Sequence, residues 1–156
     1  MADLAAELAG PDPADRELAR LAGLLHDAAK ELPEGELRAL TSPRLPLEDR
    51  VPDFLHPRAA AELARSWGVS EPAVLRAIEA HMTGLPGMDR VAMAVYVADK
   101  TEAGRGRLEG FRELARGDLA AGFHAVFRSG LEHLRANGLT LHPDTLAVAR
   151  ELGLDT

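Results

Sequence analysis

Apolar residues in this chain recur three and four positions apart, in short stretches that proline and glycine cut apart, and strict apolar/polar alternation is hard to find. That period lines one face of a helix, whereas a half-buried strand needs a period of two. Ala, Leu, Glu and Arg dominate and aromatic residues make up only 4%, a composition that suits helices. An all-α fold is therefore expected. A chain of 156 residues can build one substantial core, and no linker, repeat or low-complexity segment divides it. Residues 1–156 are expected to form a single domain.

The punctuation places the helices. Residues 2–9 read as a helix ended by Gly10 and Pro11. Asp12 and Pro13 then cap and open a second, with Leu18, Leu21, Leu25 and Ala28 on one face and His26 and Asp27 at its end. Residues 34–40 suit a short helix. Residues 41–55 carry Pro43, Pro46 and Pro52 and are expected to be an irregular loop. Pro57 opens a helix that Gly68 closes, and Ser70-Glu71-Pro72 opens another that runs to His81, where Thr83 to Gly87 force a turn. Asp89 caps an apolar helix over residues 91–99, followed by a glycine-rich, arginine-bearing loop at 101–107. Helices at 108–116, 118–137 and 143–152 complete the chain as scaffold.

Several function classes drop out. Twenty-five acidic against 18 basic residues give a formal charge of −7, which opposes a nucleic-acid duplex as partner. Without cysteine there is no thiolate ligand, disulfide or cysteine nucleophile, so any metal must be held by histidine and carboxylate. No apolar run reaches a membrane span, and the N-terminus lacks the basic start of a signal peptide. A cytoplasmic protein is expected. Trp67 and Tyr96 offer no evident base-stacking platform.

What stands out is where the ionisable groups fall. The apolar run at 21–30, LAGLLHDAAK, ends in His26, Asp27 and Lys30. His56 stands at a helix entrance, His81 at a helix end, and Asp99 in the last turn of an apolar helix. Helical bundles assemble metal sites from side chains that converge from several helices, and imidazole with carboxylate suits iron, manganese, zinc or nickel. An aspartate can serve two ions at once, and Asp27 is the candidate for that role. Asp99 at a C-terminal helix end opposes the helix dipole and so calls for a counter-charge. Lys30, Arg105 and Arg107, beside these aspartates, are candidates for gripping a polyphosphate, Lys as a point charge and Arg by paired hydrogen bonds. His124, His133 and His142 have no partner pattern and read as surface or packing residues.

The order His-Asp, His-Pro at a helix head, His-x-Thr-Gly, then Val-Ala-Asp resembles the HD-domain metal-dependent phosphohydrolases. More narrowly, LLHDAAKELP, IEAHMTGLPGM, AVYVADKTEAGR, GFRELARGDL and LHPDTLAVAREL are similar to the YqeK-like branch, bacterial hydrolases that split diadenosine tetraphosphate symmetrically. The resemblance covers nearly the whole chain. It implies an HD-type helical bundle, a pair of divalent ions, iron first with manganese, nickel, zinc or cobalt as alternatives, and hydrolysis of a dinucleoside tetraphosphate to two nucleoside diphosphates. It assigns one ion to His26, Asp27 and Asp99 and the second to Asp27, His56 and His81. It also implies water attack on phosphorus, with Asp27 or Asp99 orienting the water, Lys30 and Arg105 holding the phosphate chain, and Thr83 and Gly84 shaping the nucleotide side.

One departure accompanies it. The family carries a further ligand histidine in its first helix, and here no histidine precedes His26. The expectation is an incomplete first helix, a weakly occupied first metal position, and apolar surface that a homodimer would cover. A binding protein without turnover is the alternative from another class. A plain helical interaction domain is a third reading, which leaves the ordered ligand set unexplained.

Overall fold

The computed structural model describes residues 1–102 and 109–154, and every regular element among them is helical. Arg105 and Arg107, the arginines expected to grip phosphate, lie outside the described residues. In chain order the helices are α1 (Ala2–Leu8), α2 (Pro13–Leu25), α3 (Glu34–Leu40), α4 (Pro46–Arg50), α5 (His56–Ser66), α6 (Pro72–Ala80), α7 (Arg90–Thr101), α8 (Glu109–Gly117), α9 (Leu119–Ala136) and α10 (Pro143–Glu151). No helix among the described residues is long and apolar enough to cross a membrane.

The caps expected at Asp12 and Asp89 form, and Asp118 adds a third. Asp12, Asp89 and Asp118 each accept a backbone N–H of the first turn they precede, at 2.9, 2.8 and 3.1 Å, which satisfies donors that a helix start leaves open. Proline occupies the first turn of α2, α4, α5, α6 and α10, where its missing N–H costs nothing.

The segment 41–55 departs from expectation. It holds α4 and a 3₁₀ turn at Pro52–Leu55 instead of irregular loop. Pro46 and Pro52 open these short elements rather than breaking anything. Its anchor is Glu48, buried and paired with Arg58 of α5 through contacts of 2.7 and 3.1 Å. Two smaller differences touch the site: α2 ends at Leu25, leaving Ala28 exposed, and α7 continues two residues past Asp99.

Helix α7 is the axis of the fold and packs against α1, α2, α6, α8 and α9. Tyr96 meets Phe123 and Phe127 of α9 at ring-centroid distances of 5.4 and 5.8 Å, burial worth roughly 1.5–3 kcal/mol for each large side chain. Elsewhere the core is largely alanine: Ala19 and Ala22 of α2, Ala59, Ala60 and Ala64 of α5, and Ala77 and Ala80 of α6 are fully buried. Small side chains let α2, α5, α6 and α7 approach closely, which brings their ends to one place.

Candidate metal centre

Each candidate ligand owes its position to a helix end. His26 directly follows α2, His56 is the first residue of α5, His81 directly follows α6, and Asp99 sits in the last turn of α7. Chain geometry at these ends turns each imidazole back on its own backbone. His26 Nδ1 donates to the Gly23 carbonyl at 2.8 Å, His56 Nδ1 to Asp53 at 2.7 Å, and His81 Nδ1 to Ile78 at 2.7 Å. All three acceptors lie three residues upstream.

These bonds decide the tautomers. A carbonyl only accepts, so each Nδ1 carries a hydrogen, and in the neutral ring each Nε2 is left with a bare lone pair. The three Nε2 atoms nevertheless point at one another and at carboxylates. His56 Nε2 and His81 Nε2 are 3.1 Å apart. Asp27 Oδ1 stands 3.6 Å from the first and 3.3 Å from the second. That oxygen is buried without any hydrogen-bond partner. On the other side of the same carboxylate, Oδ2 is 3.4 Å from His26 Nε2, which in turn lies 3.9 Å from Asp99 Oδ1.

Acceptors facing acceptors in a buried space repel, and an unpaired buried oxygen costs about 1–3 kcal/mol. A cation removes both penalties. The donor set, imidazole nitrogen and carboxylate oxygen, fits a borderline divalent ion. Second contacts fit as well, since ligating histidines characteristically donate their other N–H to a carbonyl or carboxylate. Among the described residues, Asp27, His56 and His81 meet the spacing of a metal site, with ligand atoms all within 4.8 Å of one another. His26 and Asp99 extend the group from the far oxygen of Asp27.

Protonation is consistent with that use. Burial, reinforced by the charge of His81, pushes His56 down to about 4 and also lowers His26, so both are neutral at pH 7. For Asp27, burial works against the charge, but His81, Lys30 and His26 together outweigh it and hold the carboxyl below the ordinary range. Asp99 is likewise depressed: burial opposes ionisation, and Lys100, His81 and His26 override it.

Lysine contacts close the outer side. Lys30 Nζ lies 2.6 Å from Asp27 Oδ2 and Lys100 Nζ 2.6 Å from Asp99 Oδ2. Lys100 did not emerge from the sequence reading, although its place directly after Asp99 was a signal. Thr83 and Gly84 sit differently from the ligands. The Thr83 carbonyl accepts the Thr145 hydroxyl at 2.9 Å, and Thr83 lines a side cleft of about 250 Å³ with Phe54, Pro57 and His142. Gly84 has φ +73°, and a Cβ there would come within 3.2 Å of Phe127 and Val148, so it serves the turn and the core.

His142 is buried, a packing residue. Its Nδ1 accepts the Asp144 N–H as the cap of α10, and its Nε2 lies 3.5 Å from Glu48. His124 is half-buried and His133 exposed.

The HD domain family model matches residues 1–104. A protein of Halalkalibacterium halodurans named bis(5'-nucleosyl)-tetraphosphatase, symmetrical, is 30% identical over 98% of this chain and 85% of its own length. A Bacillus subtilis protein of the same name is 32% identical over 90% and 79%. Among solved structures, a predicted HD superfamily hydrolase involved in NAD metabolism from Clostridium acetobutylicum superposes with a TM-score of 0.86 at 30% identity, covering 98% of this chain and 85% of that one.

Proposed function

Because the chain belongs to the HD-domain family, we propose that it is a metal-dependent phosphohydrolase that cleaves dinucleoside tetraphosphates, diadenosine tetraphosphate above all, symmetrically into two nucleoside diphosphates. The observation that carries this reading is the convergence of three imidazole lone pairs on a carboxylate whose buried oxygen has no donor. The names of the bacterial relatives supply the substrate class. Although the family match ends at residue 104, α8 and α9 pack directly on α7, and the whole chain is taken as one HD-type unit.

His26, Asp27 and Asp99 would hold one divalent ion and Asp27, His56 and His81 the other, iron by preference, with manganese, nickel, zinc or cobalt as alternatives. Ions bound there supply Lewis acidity toward phosphoryl oxygens and make a water more acidic. The rest falls to the chain. Asp27, shared between the two groups, fixes their separation. Asp27 or Asp99, which face His26 at 3.4 and 3.9 Å, would orient the attacking water. Lys30, whose side chain is 49% exposed, can exchange its contact with Asp27 for a phosphate oxygen and offset charge that grows in the transition state. Arg105 is assigned the more distant phosphates.

The test is metal analysis of protein purified without chelator, followed by a diadenosine tetraphosphate assay of the same sample with iron or manganese restored. Adenosine diphosphate as sole product is expected, with activity at background in Asp27→Ala. Adenosine triphosphate with adenosine monophosphate would refute the symmetric cut. Nucleotide binding without product at saturating metal would make the chain a binding protein.

A further inference from the structure

We infer that Lys100 is a positioning residue: it locks the Asp99 carboxylate so that one oxygen, Oδ1, is presented to the centre. This rests on the two-ion reading above and adds to it a residue that the ligand set does not contain.

Lys100 has three contacts, each of which limits its freedom. Its Nζ lies 2.6 Å from Asp99 Oδ2, 3.1 Å from the backbone carbonyl of His81, and 5.1 Å from the centroid of the Tyr96 ring. Tyr96 is one turn back on α7 and buried, so the ring forms a fixed floor for the ammonium. The His81 carbonyl belongs to the end of α6. Lys100 therefore ties the end of α7 to the end of α6 at the point where each delivers a ligand. With Oδ2 held by the ammonium, only Oδ1 is turned toward His26, at 3.9 Å. A carboxylate released from that clamp has a free rotor about its last bond and two equivalent oxygens. The position that Asp99 shares with His26 and Asp27 has a single imidazole, so it depends most on each carboxylate being already aimed. Groups that orient a metal ligand in this way typically contribute about 10–100-fold in metal affinity.

The sign of the effect separates positioning from plain electrostatics. An ammonium repels a dication, so if Lys100 acted only through its charge, removing it would tighten metal binding. If Lys100 acts by aiming Asp99, removing it weakens binding at one position. The experiment is Mn²⁺ titration of the full chain, read by the free-ion paramagnetic resonance signal and by the signal of the coupled pair, for the parent, Lys100→Met, Lys100→Gln and Lys100→Arg. Circular dichroism melting runs alongside to establish that each variant is folded.

Lys100→Met and Lys100→Gln are expected to weaken one Mn²⁺ by about tenfold or more and leave the other unchanged, with loss of the coupled signal at concentrations that fill the parent. Lys100→Arg, which keeps a donor and the charge, is expected to restore it. Unchanged or tighter binding at both positions, or equal weakening of both, overturns the assignment. A parent that takes up no pair of ions overturns the two-ion reading itself and this inference with it. If Lys100→Met proves unfolded, Lys100→Gln decides by the same criteria, and failure of both to fold overturns a purely positional role.

Discussion

Replacing Asp27 with asparagine should change the stability of the metal-free protein little while abolishing its response to metal. In the parent, Asp27 Oδ1 is buried without a donor and lies 3.3 and 3.6 Å from two nitrogens that also offer lone pairs. An unsatisfied group of this kind costs about 1–3 kcal/mol. Asparagine puts an N–H donor in that place, able to bond His81 or His56, and keeps a carbonyl for Lys30. The weakened contact with Lys30, half exposed, costs about 0–1 kcal/mol. Against that relief stands the loss of a charge that the fold holds ionised below the ordinary carboxylate range, a contribution of about 1–3 kcal/mol of the opposite sign, so the metal-free proteins should differ by no more than about 1 kcal/mol, or roughly 2–4 °C in Tm for a domain of this size. Metal separates the two proteins. An ion at 100 times its Kd stabilises the parent by about 2.7 kcal/mol, equivalent to about 5–11 °C, and the variant hardly at all. Melting curves in chelator should therefore lie close together, and in Mn²⁺ the parent alone should move up. An Asp27→Asn protein that gains as much from Mn²⁺ as the parent would refute the assignment of Asp27 as a ligand.

Three further outcomes follow from the same geometry. In chelator, stability should be fully present above the unfolded histidine value of about 6.5 and be lost as pH drops from there to the folded value of His56, about 4, because the unfolded chain binds the proton first. The slope is at most about 1.4 kcal/mol per pH unit for each such histidine, measurable by urea titration at pH 7 and 5, and a flat profile would contradict the buried neutral imidazoles. Glu48→Ala should cost about 3–5 kcal/mol by stranding the charge of Arg58, read as a lowered Tm, whereas replacing both partners by apolar residues should cost less. Equilibrium dialysis with Mn²⁺ should resolve two unequal affinities, the weaker lost first in Asp99→Asn; equal affinities would show that the wider spacing around His26 does not matter.

Much of this protein could be read directly from its residues because the relevant signals are local. Asp12 and Asp89 are caps whose N–H donors lie two and three residues away. Proline and glycine act on their own turn, so most helix bounds came out within a residue or two, and the candidate ligands fell at helix ends on the strength of that punctuation alone. The segment 41–55 was misjudged for a physical reason. Its prolines are compatible both with loop and with the first turn of short helices, and the choice was made by Glu48 meeting Arg58 ten residues on and His142 much further along. Gly84 shows the same limit: its place in a turn was legible, but its contact with Phe127 and Val148 depends on how α9 and α10 return to the core.

The sequence by itself determined the period, the caps and the donor types, hence an all-helical chain with imidazoles and carboxylates at its helix ends. Tertiary structure alone decided that three Nε2 lone pairs point at one carboxylate, that Asp27 faces a different group with each oxygen, and that Lys100 joins Asp99 to the His81 carbonyl. Capping and helical period are set by neighbours within four residues. The meeting of four helix ends is set by the close approach of α2, α5, α6 and α7 through their alanines, which no local pattern encodes.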